Sequence, residues 1–515
     1  MQLFPTRPTV HVALAALATI TAGMLLRLPA VVAWGGAIVA GLALARASAK
    51  LSVLRLRAAG LEMVWRTSRR ARRVARNAVV EVKVELRNRD ARGVRYAALR
   101  AVASSALEVT VEPKDGVIGP LGLVSLCVTI RTPRVGKHCI HGLALEVRGP
   151  PGLFEVPLAF ANPIGIEVMP RSFAAFSSSA RGGRSRLAAE AGASDPHPGT
   201  GTELYELREH TSGDPFKRIA WKASARRGQL MVREFEREDR DVVWLVLDAS
   251  TELLAGPVGR APLDRGIDEL ASLAHKHLSR GDRVGLAVAG TSQRTWLSAA
   301  SGAPHAMRIA HALASSASSL DADRSDDDEA DVARRVLDHL RFLDAGSVAA
   351  LRVEQLDSLQ AYADMQRSRA PYDAPAPWAK TARERSLRRY LACYGISSPP
   401  RIEHDKSRSA GLLVQALDRA ATEKPRPSLV YVWSEAPDAS SPALAQTIRK
   451  LLRKGISVRW ISARHELVLG AESDEAARAV ADAVLMRTRV ARERGERLLR
   501  AMGVRIAGRE RGARA

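Results

Sequence analysis

Two uncharged apolar runs near the start of the chain restrict its fold more than any other feature. Arg7 and Arg27 bracket 19 residues without a formal charge (PTVHVALAALATITAGMLL), and Arg27 and Arg46 bracket 18 more (LPAVVAWGGAIVAGLALA). Coiled as helices at about 1.5 Å per residue, both runs approach the ~30 Å of a hydrocarbon core. Arg27, Leu28 and Pro29 separate them and suit a tight turn. Arg46, Lys50, Arg55, Arg57, Arg66 and Arg69 follow the second run closely. Positive residues flanking a span mark its cytoplasmic end. The expectation is a helical hairpin in the lipid bilayer, crossing the cytoplasmic membrane twice, with the soluble parts cytoplasmic. Two runs broken by an arginine make a poor single core for a cleaved secretory leader.

Behind the anchor the pattern changes to period two. In VVEVKVELR, residues 79–87, Val80, Val82, Val84 and Leu86 alternate with charged residues. Residues 124–130 alternate in the same way, Leu107, Val109 and Val111 give a third strand, and weaker ones fall near 140–147 and 164–169. Alternation of this kind predicts half-buried strands, and several short ones with Gly/Pro turns predict a small β-sandwich. The domains expected are an anchor at 1–50, a β-rich sandwich-like domain at 51–172, a linker at 173–200, and an α/β region at 201–515 with a helical insertion at 318–408.

The α/β expectation rests on apolar runs that do not alternate. VVWLVLD (242–248), RVGLAVA (283–289), SLVYVW (428–433) and ISVRWI (456–461) read as strands buried on both faces. Helical patterns at 264–279, 442–453 and 472–500 lie between or after them, which predicts a doubly wound sheet. Within the insertion, 332–343 and 382–394 read as helices, and the acidic run from Asp321 to Asp331 reads as a solvated loop. Asp321, Asp323 and Ser325 imitate the opening of a calcium loop, but Asp326 replaces its glycine and Val332 its closing glutamate.

Composition narrows the functional classes. The net charge is +23, but aromatic residues are 4% and the arginines are spread along the chain, a poor design for nucleic-acid binding. Three cysteines, Cys127, Cys139 and Cys393, without a CxxC pair make no disulfide framework and read as reduced thiols in a cytosolic compartment. No GxxxxGK[ST] motif is present to cradle ATP phosphates. His275 and His277 lie two apart on a helical pattern and so face different sides.

Residues 201–238 (GTELYELREHTSGDPFKRIAWKASARRGQLMVREFERE) carry the most specific signal. Gly201, Glu203, Arg208, Glu209, Gly213, Asp214, Arg218, Ile219, Trp221, Lys222, Ala225 and Arg226 fall at the spacing of a signature segment. The chain resembles the bacterial family called domain of unknown function 58, from which His210 and Ala220 depart where that pattern has Tyr and Asp. Arg134-Val135-Gly136 and Pro151-Gly152-Leu153-Phe154 resemble a second stretch of the same family. Charges at Arg208, Glu209, Asp214 and Arg218, with Trp221 as an apolar anchor, read as a brace on the α/β core or as a partner-docking surface. No paired base and nucleophile points to catalysis, and the chain is read as non-enzymatic.

The strand order also resembles the von Willebrand factor A fold. That resemblance implies Mg²⁺ held by Asp-x-Ser-x-Ser after the first strand, a Thr on a later loop and an Asp after the fourth strand. Asp248 and Ser250 match, Glu252 replaces the second Ser, Glu435 stands for the last Asp, and no Thr lies near Ala410-Gly411-Leu412. The resemblance implies a degenerate metal site at Asp248, Ser250, Glu252 and Glu435. The resemblance to the domain-of-unknown-function-58 family implies a MoxR-type AAA+ ATPase as partner and an adaptor at the inner (cytoplasmic) membrane, with a metal-dependent ligand-binding module as the alternative.

Overall fold

The computed structural model describes residues 3–67, 71–173, 194–211, 214, 216–238, 241–290, 294–402, 406–437, 442–466 and 474–507. In chain order, β1 (Phe4–Pro5) leads into α1 (Arg7–Leu25) and α2 (Pro29–Ala59). Nine strands follow: β2 (Leu61–Trp65), β3 (Ala71–Ala75), β4 (Val79–Asn88), β5 (Val94–Ala103), β6 (Glu108–Glu112), β7 (Gly116–Ile118), β8 (Leu123–Arg131), β9 (Gly136–Gly149) and β10 (Phe154–Met169). Then come β11 (Ser194–Glu209), α3 (Trp221–Arg227), β12 (Met231–Glu238), β13 (Val242–Asp248), α4 (Pro262–Ser279), β14 (Arg283–Ala289), β15 (Arg294–Ala300) and α5 (Ala303–Ser315). Helices α6 (Glu329–Leu343), α7 (Leu356–Gln366) and α8 (Ala382–Cys393) form the insertion. The remainder is α9 (Lys406–Ala420), β16 (Leu429–Ser434), α10 (Pro442–Arg453), β17 (Ser457–Ser462), α11 (Glu475–Ala501) and β18 (Arg505–Ala507).

The chain divides into two compact units: residues 1–168 with 319–399, and residues 169–318 with 400–515. In the first, two antiparallel sheets, β1-β10-β9-β5-β7 (with β3 on β10) and β2-β4-β8-β6, close over one core. Val82, Val84 and Leu86 from one sheet meet Leu143, Leu145 and Ile166 from the other, as the alternation of apolar residues requires. A bulge in β10 between Ala161 and Ile164 exposes a carbonyl that Trp65 uses, its Nε1 donating to Asn162 O at 2.7 Å.

Helices α1 and α2 are long and apolar enough to cross a membrane, and their flanks are built into this unit. β1 pairs with Phe154 and Glu155 of β10, and Thr6 and Thr9 both donate their hydroxyls to Leu153 O. At the other end, Ala49 lies so close to Gly149 that a Cβ there would sit 2.5 Å from Ala49 Cα. Val53 and Leu56 enter the sandwich core, and Arg55 Nε donates to Asp90 Oδ2 at 2.8 Å. Both ends of the hairpin are therefore held at the turn between β9 and β10.

Residues 319–399 interrupt the α/β segment in sequence yet pack on the sandwich. Tyr372 donates its hydroxyl to His138 O (2.8 Å), Ser104 Oγ donates to Gly395 O (2.7 Å), and His339 Nε2 bonds His141 Nδ1 at 2.9 Å. Gly165 is needed beneath the Tyr372 ring, since a Cβ would lie 2.6 Å from its Cζ. The acidic run is not the solvated loop expected: Asp321, Asp323, Arg324 and Asp327 are all buried. Arginines from α6 and α8 explain the difference. Arg335 Nε pairs with Asp327 Oδ2 (3.0 Å), and Arg388 bonds Leu320 O and Asp327 O.

The second unit centres on a six-stranded sheet of order β15-β14-β13-β16-β17-β18, parallel except for the antiparallel edge strand β15. Every residue of β13 and β16 is buried, as their unbroken apolar runs predict. Trp244, Val246, Val430 and Trp460 face α9, α10 and α11 on one side. On the other, α4 presses Gly266 against the Trp433 indole, where a Cβ would come within 2.4 Å. A separate ribbon pairs β11 with β12, and β11 begins at Ser194, inside the stretch read as linker; residues 174–193 of that stretch lie outside the described residues.

Candidate functional site

The signature segment folds as strand, loop, short helix and strand. Helix α3 stops at Gly228, whose φ of +71° gives the left-handed cap that glycine adopts without strain. Chain reversal then brings Met231 back, so that Ala220 N donates to Met231 O (2.8 Å) and Met231 N to Ser224 Oγ (2.9 Å). Upstream, Arg208 grips Asp214 through two parallel bonds, Nη1 to Oδ2 at 2.8 Å and Nη2 to Oδ1 at 2.7 Å. Thr211 N donates to the same carboxylate, and these bonds hold the Asp214 pKa below the usual range. Glu209 accepts from Gln229 Nε2 at 2.7 Å.

Two aromatic members of the segment are exposed, whereas Ile219, Met231 and Val232 are buried. Trp221 is 62% exposed and Phe216 77%. Trp221 opens α3, on which Ser224 is the buried residue. Leu230, Lys217, Lys222, Arg226 and Arg227 are exposed on the same segment. Gly213 lies outside the described residues, and Gly201 and Glu203 fall on β11.

A second polar group sits at the C-terminal ends of the parallel strands, where ligands bind to such sheets. Leu247 is in register with Trp433, which brings the next residues, Asp248 and Ser434, side by side. Ser434 Oγ donates to Asp248 Oδ2 at 2.6 Å, and Ser250 N donates to Asp248 Oδ1 at 3.0 Å. Burial pushes the Asp248 pKa up to about 6, against the lowering effect of these bonds. Glu435 turns to His465, whose Nε2 lies 2.6 Å from Glu435 Oε1, while Glu252 is half-buried on the 3₁₀ turn Thr251–Leu254. Ala410-Gly411-Leu412, where the resemblance looks for a threonine, lies within α9. Sequence reasoning missed Ser434; the signal available was a second apolar run ending in a polar residue beside the run that ends in Asp248.

These residues do not fit the divalent cation that the resemblance implies. Both Asp248 oxygens accept hydrogen bonds from the protein, and Glu435 is engaged by His465. Among the described residues no three His, Cys, Asp or Glu side chains converge as a metal would need. Calorimetric titration of the detergent-solubilised chain with Mg²⁺ or Mn²⁺ is expected to show no binding tighter than millimolar. A micromolar isotherm that Asp248→Ala abolishes would contradict the geometry. His277 is likewise structural, with Nδ1 2.7 Å from Asp282 Oδ2.

Residues 206–343 match the model of a family described as "Protein of unknown function DUF58", the family that the signature segment resembles. The uncharacterized protein Rv1480 of Mycobacterium tuberculosis (strain ATCC 25618 / H37Rv) is 29% identical over 108 residues, 21% of this chain and 34% of its own. The uncharacterized protein YeaD of Bacillus subtilis (strain 168) is 28% identical over 160 residues, 31% of this chain and 37% of its own. The matches thus span about a third of the length of these curated relatives. Among solved structures, the PapD-like domain 7 of human CEP192 is 14% identical over 21% of this chain and 85% of its own, with a TM-score of 0.17.

Proposed function

We propose, with residues 206–343 as a DUF58 domain, that the chain is a membrane-anchored, non-enzymatic adaptor whose signature segment docks a partner protein. The observation that carries this reading is the outward display of Phe216 and Trp221 on a loop pinned by the Arg208–Asp214 pair. Large exposed aromatic side chains, here neighboured in sequence by Lys217, Lys222 and Arg226, are the usual anchors of protein interfaces. A MoxR-type AAA+ ATPase is the partner implied by family resemblance, and it would supply the nucleotide chemistry for which this chain has no phosphate loop. The parallel sheet is read as von Willebrand factor A-like, serving as the rigid support for that loop. Helices α1 and α2 supply the anchor, with the basic residues from Arg46 onward favouring a cytoplasmic location for the rest.

Extraction from the native membrane in mild detergent, with nucleotide present, tests the reading. An AAA+ ATPase is expected to co-elute, and Phe216→Ala with Trp221→Ala is expected to lower its recovery at least about ten-fold. Absence of any such ATPase at native expression, or recovery indifferent to both substitutions, would overturn it. The alternative, a metal-dependent ligand-binding module, is disfavoured by the engagement of Glu435 with His465, and only a positive cation titration would restore it.

A further inference from the structure

Helix α11 is 27 residues long, yet only Ala481, Gly495 and Leu499 of it are buried. Its inner face is seated closely, since a Cβ on Gly495 would lie 2.5 Å from Pro437 O, three residues beyond Ser434. Its outer face leaves Val480 (64%), Val484 (44%), Met486 (70%) and Val490 (41%) exposed. Val480, Ala483, Arg487, Val490 and Arg494 succeed one another at alternating steps of three and four, which places them in one seam of period 3.5. Such a seam is the side a second helix packs against.

The charges select the occupant. Arg489, Arg492 and Arg500 are paired with Glu493 or Glu496 along the helix. Arg487 and Arg494 have no carboxylate partner among the described residues, and both lie within the apolar seam. They are seven residues apart, about 10 Å along the helix. A second copy of α11 would bring arginine towards arginine. A lipid surface suits a helix whose cations flank its apolar face, whereas here they interrupt it.

We infer that the α11 seam receives an amphipathic helix of a partner protein carrying two carboxylates seven residues apart, which meet Arg487 and Arg494 across an apolar contact with Val480, Ala483 and Val490. This surface is separate from the Phe216–Trp221 display and does not depend on it.

A photo-crosslinking residue in place of Val484, in the full chain at native level in its own membrane, reads the contact directly. The expected product is an adduct to a protein segment of helical pattern with Asp or Glu at a seven-residue spacing. Arg487→Glu with Arg494→Glu should cut the yield at least about ten-fold. Arg487→Lys with Arg494→Lys should retain most of it, and lysines at the two partner acids should restore it to the charge-reversed chain. An adduct to a second copy, to lipid or to a segment without those acids would overturn the inference, as would no adduct or a yield unmoved by charge reversal.

Discussion

Replacing Arg388 by methionine is expected to destabilise the first unit by about 3–5 kcal/mol, the cost of leaving a buried charge without its partner. The guanidinium is fully buried on α8 and makes three bonds: Nε to Glu384 Oε1 (2.8 Å), Nη1 to Leu320 O (2.9 Å) and Nη2 to Asp327 O (2.7 Å). Methionine fills much of the volume but leaves the Glu384 carboxylate and two carbonyls without donors. The loss is comparable with the whole stability of many domains, roughly 5–15 kcal/mol. Hydrogen exchange read by mass spectrometry should show faster opening of residues 319–399 in Arg388→Met. Adding Glu384→Leu should recover part of the loss, because the orphaned charge is then gone. A single variant as protected as the parent would mean that the ion pair holds nothing together.

Acid is expected to loosen the same unit through its histidines. Burial lowers the pKa of His138 and of His141 to about 4, and that of His339 below its ordinary value. All three are neutral in the fold, while in the unfolded chain they titrate near 6.5. The unfolded state therefore binds more protons between these values, so stability is complete above about pH 6.5 and falls as pH drops towards 4. For His138 and His141 the loss is on the order of 3 kcal/mol each. The geometry agrees: the His141–His339 bond continues from His339 Nδ1 to the Tyr390 hydroxyl at 2.8 Å, so both ring nitrogens of His339 are already engaged. Thermal midpoints should be flat from pH 8 to 7 and fall steeply below 6, and His141→Val with His339→Phe should flatten that fall. Midpoints that hold from pH 7 to 4.5 would refute the assignment.

Local pattern carried much of this fold. The alternation through Val80, Val82, Val84 and Leu86 is β4, and VVWLVLD is the fully buried β13. Both are dictated by neighbours within a few residues. The placement of the insertion is different in kind. It rests on pairs such as His141 with His339 and Ser104 with Gly395, 198 and 291 residues apart, and nothing periodic announces them. The acidic run was misread for the same reason, since a string of aspartates looks solvated until Arg335 and Arg388 are placed beside it. At the candidate site, Asp248 was legible as the acid ending a buried run, and the Arg208–Asp214 pair as opposite charges six apart. The outward turn of Trp221 was not, because an aromatic residue in a charged segment serves equally as a core anchor or a contact.

The insertion leaves and rejoins the α/β unit through residues that lie together, with Ser319 Oγ donating to Ser398 O at 2.5 Å. The backbone consequently passes between the two units three times, near 168, 318 and 399. A protease nicking any one junction would leave the halves fastened by the other two, so this molecule cannot be divided the way beads are cut from a string.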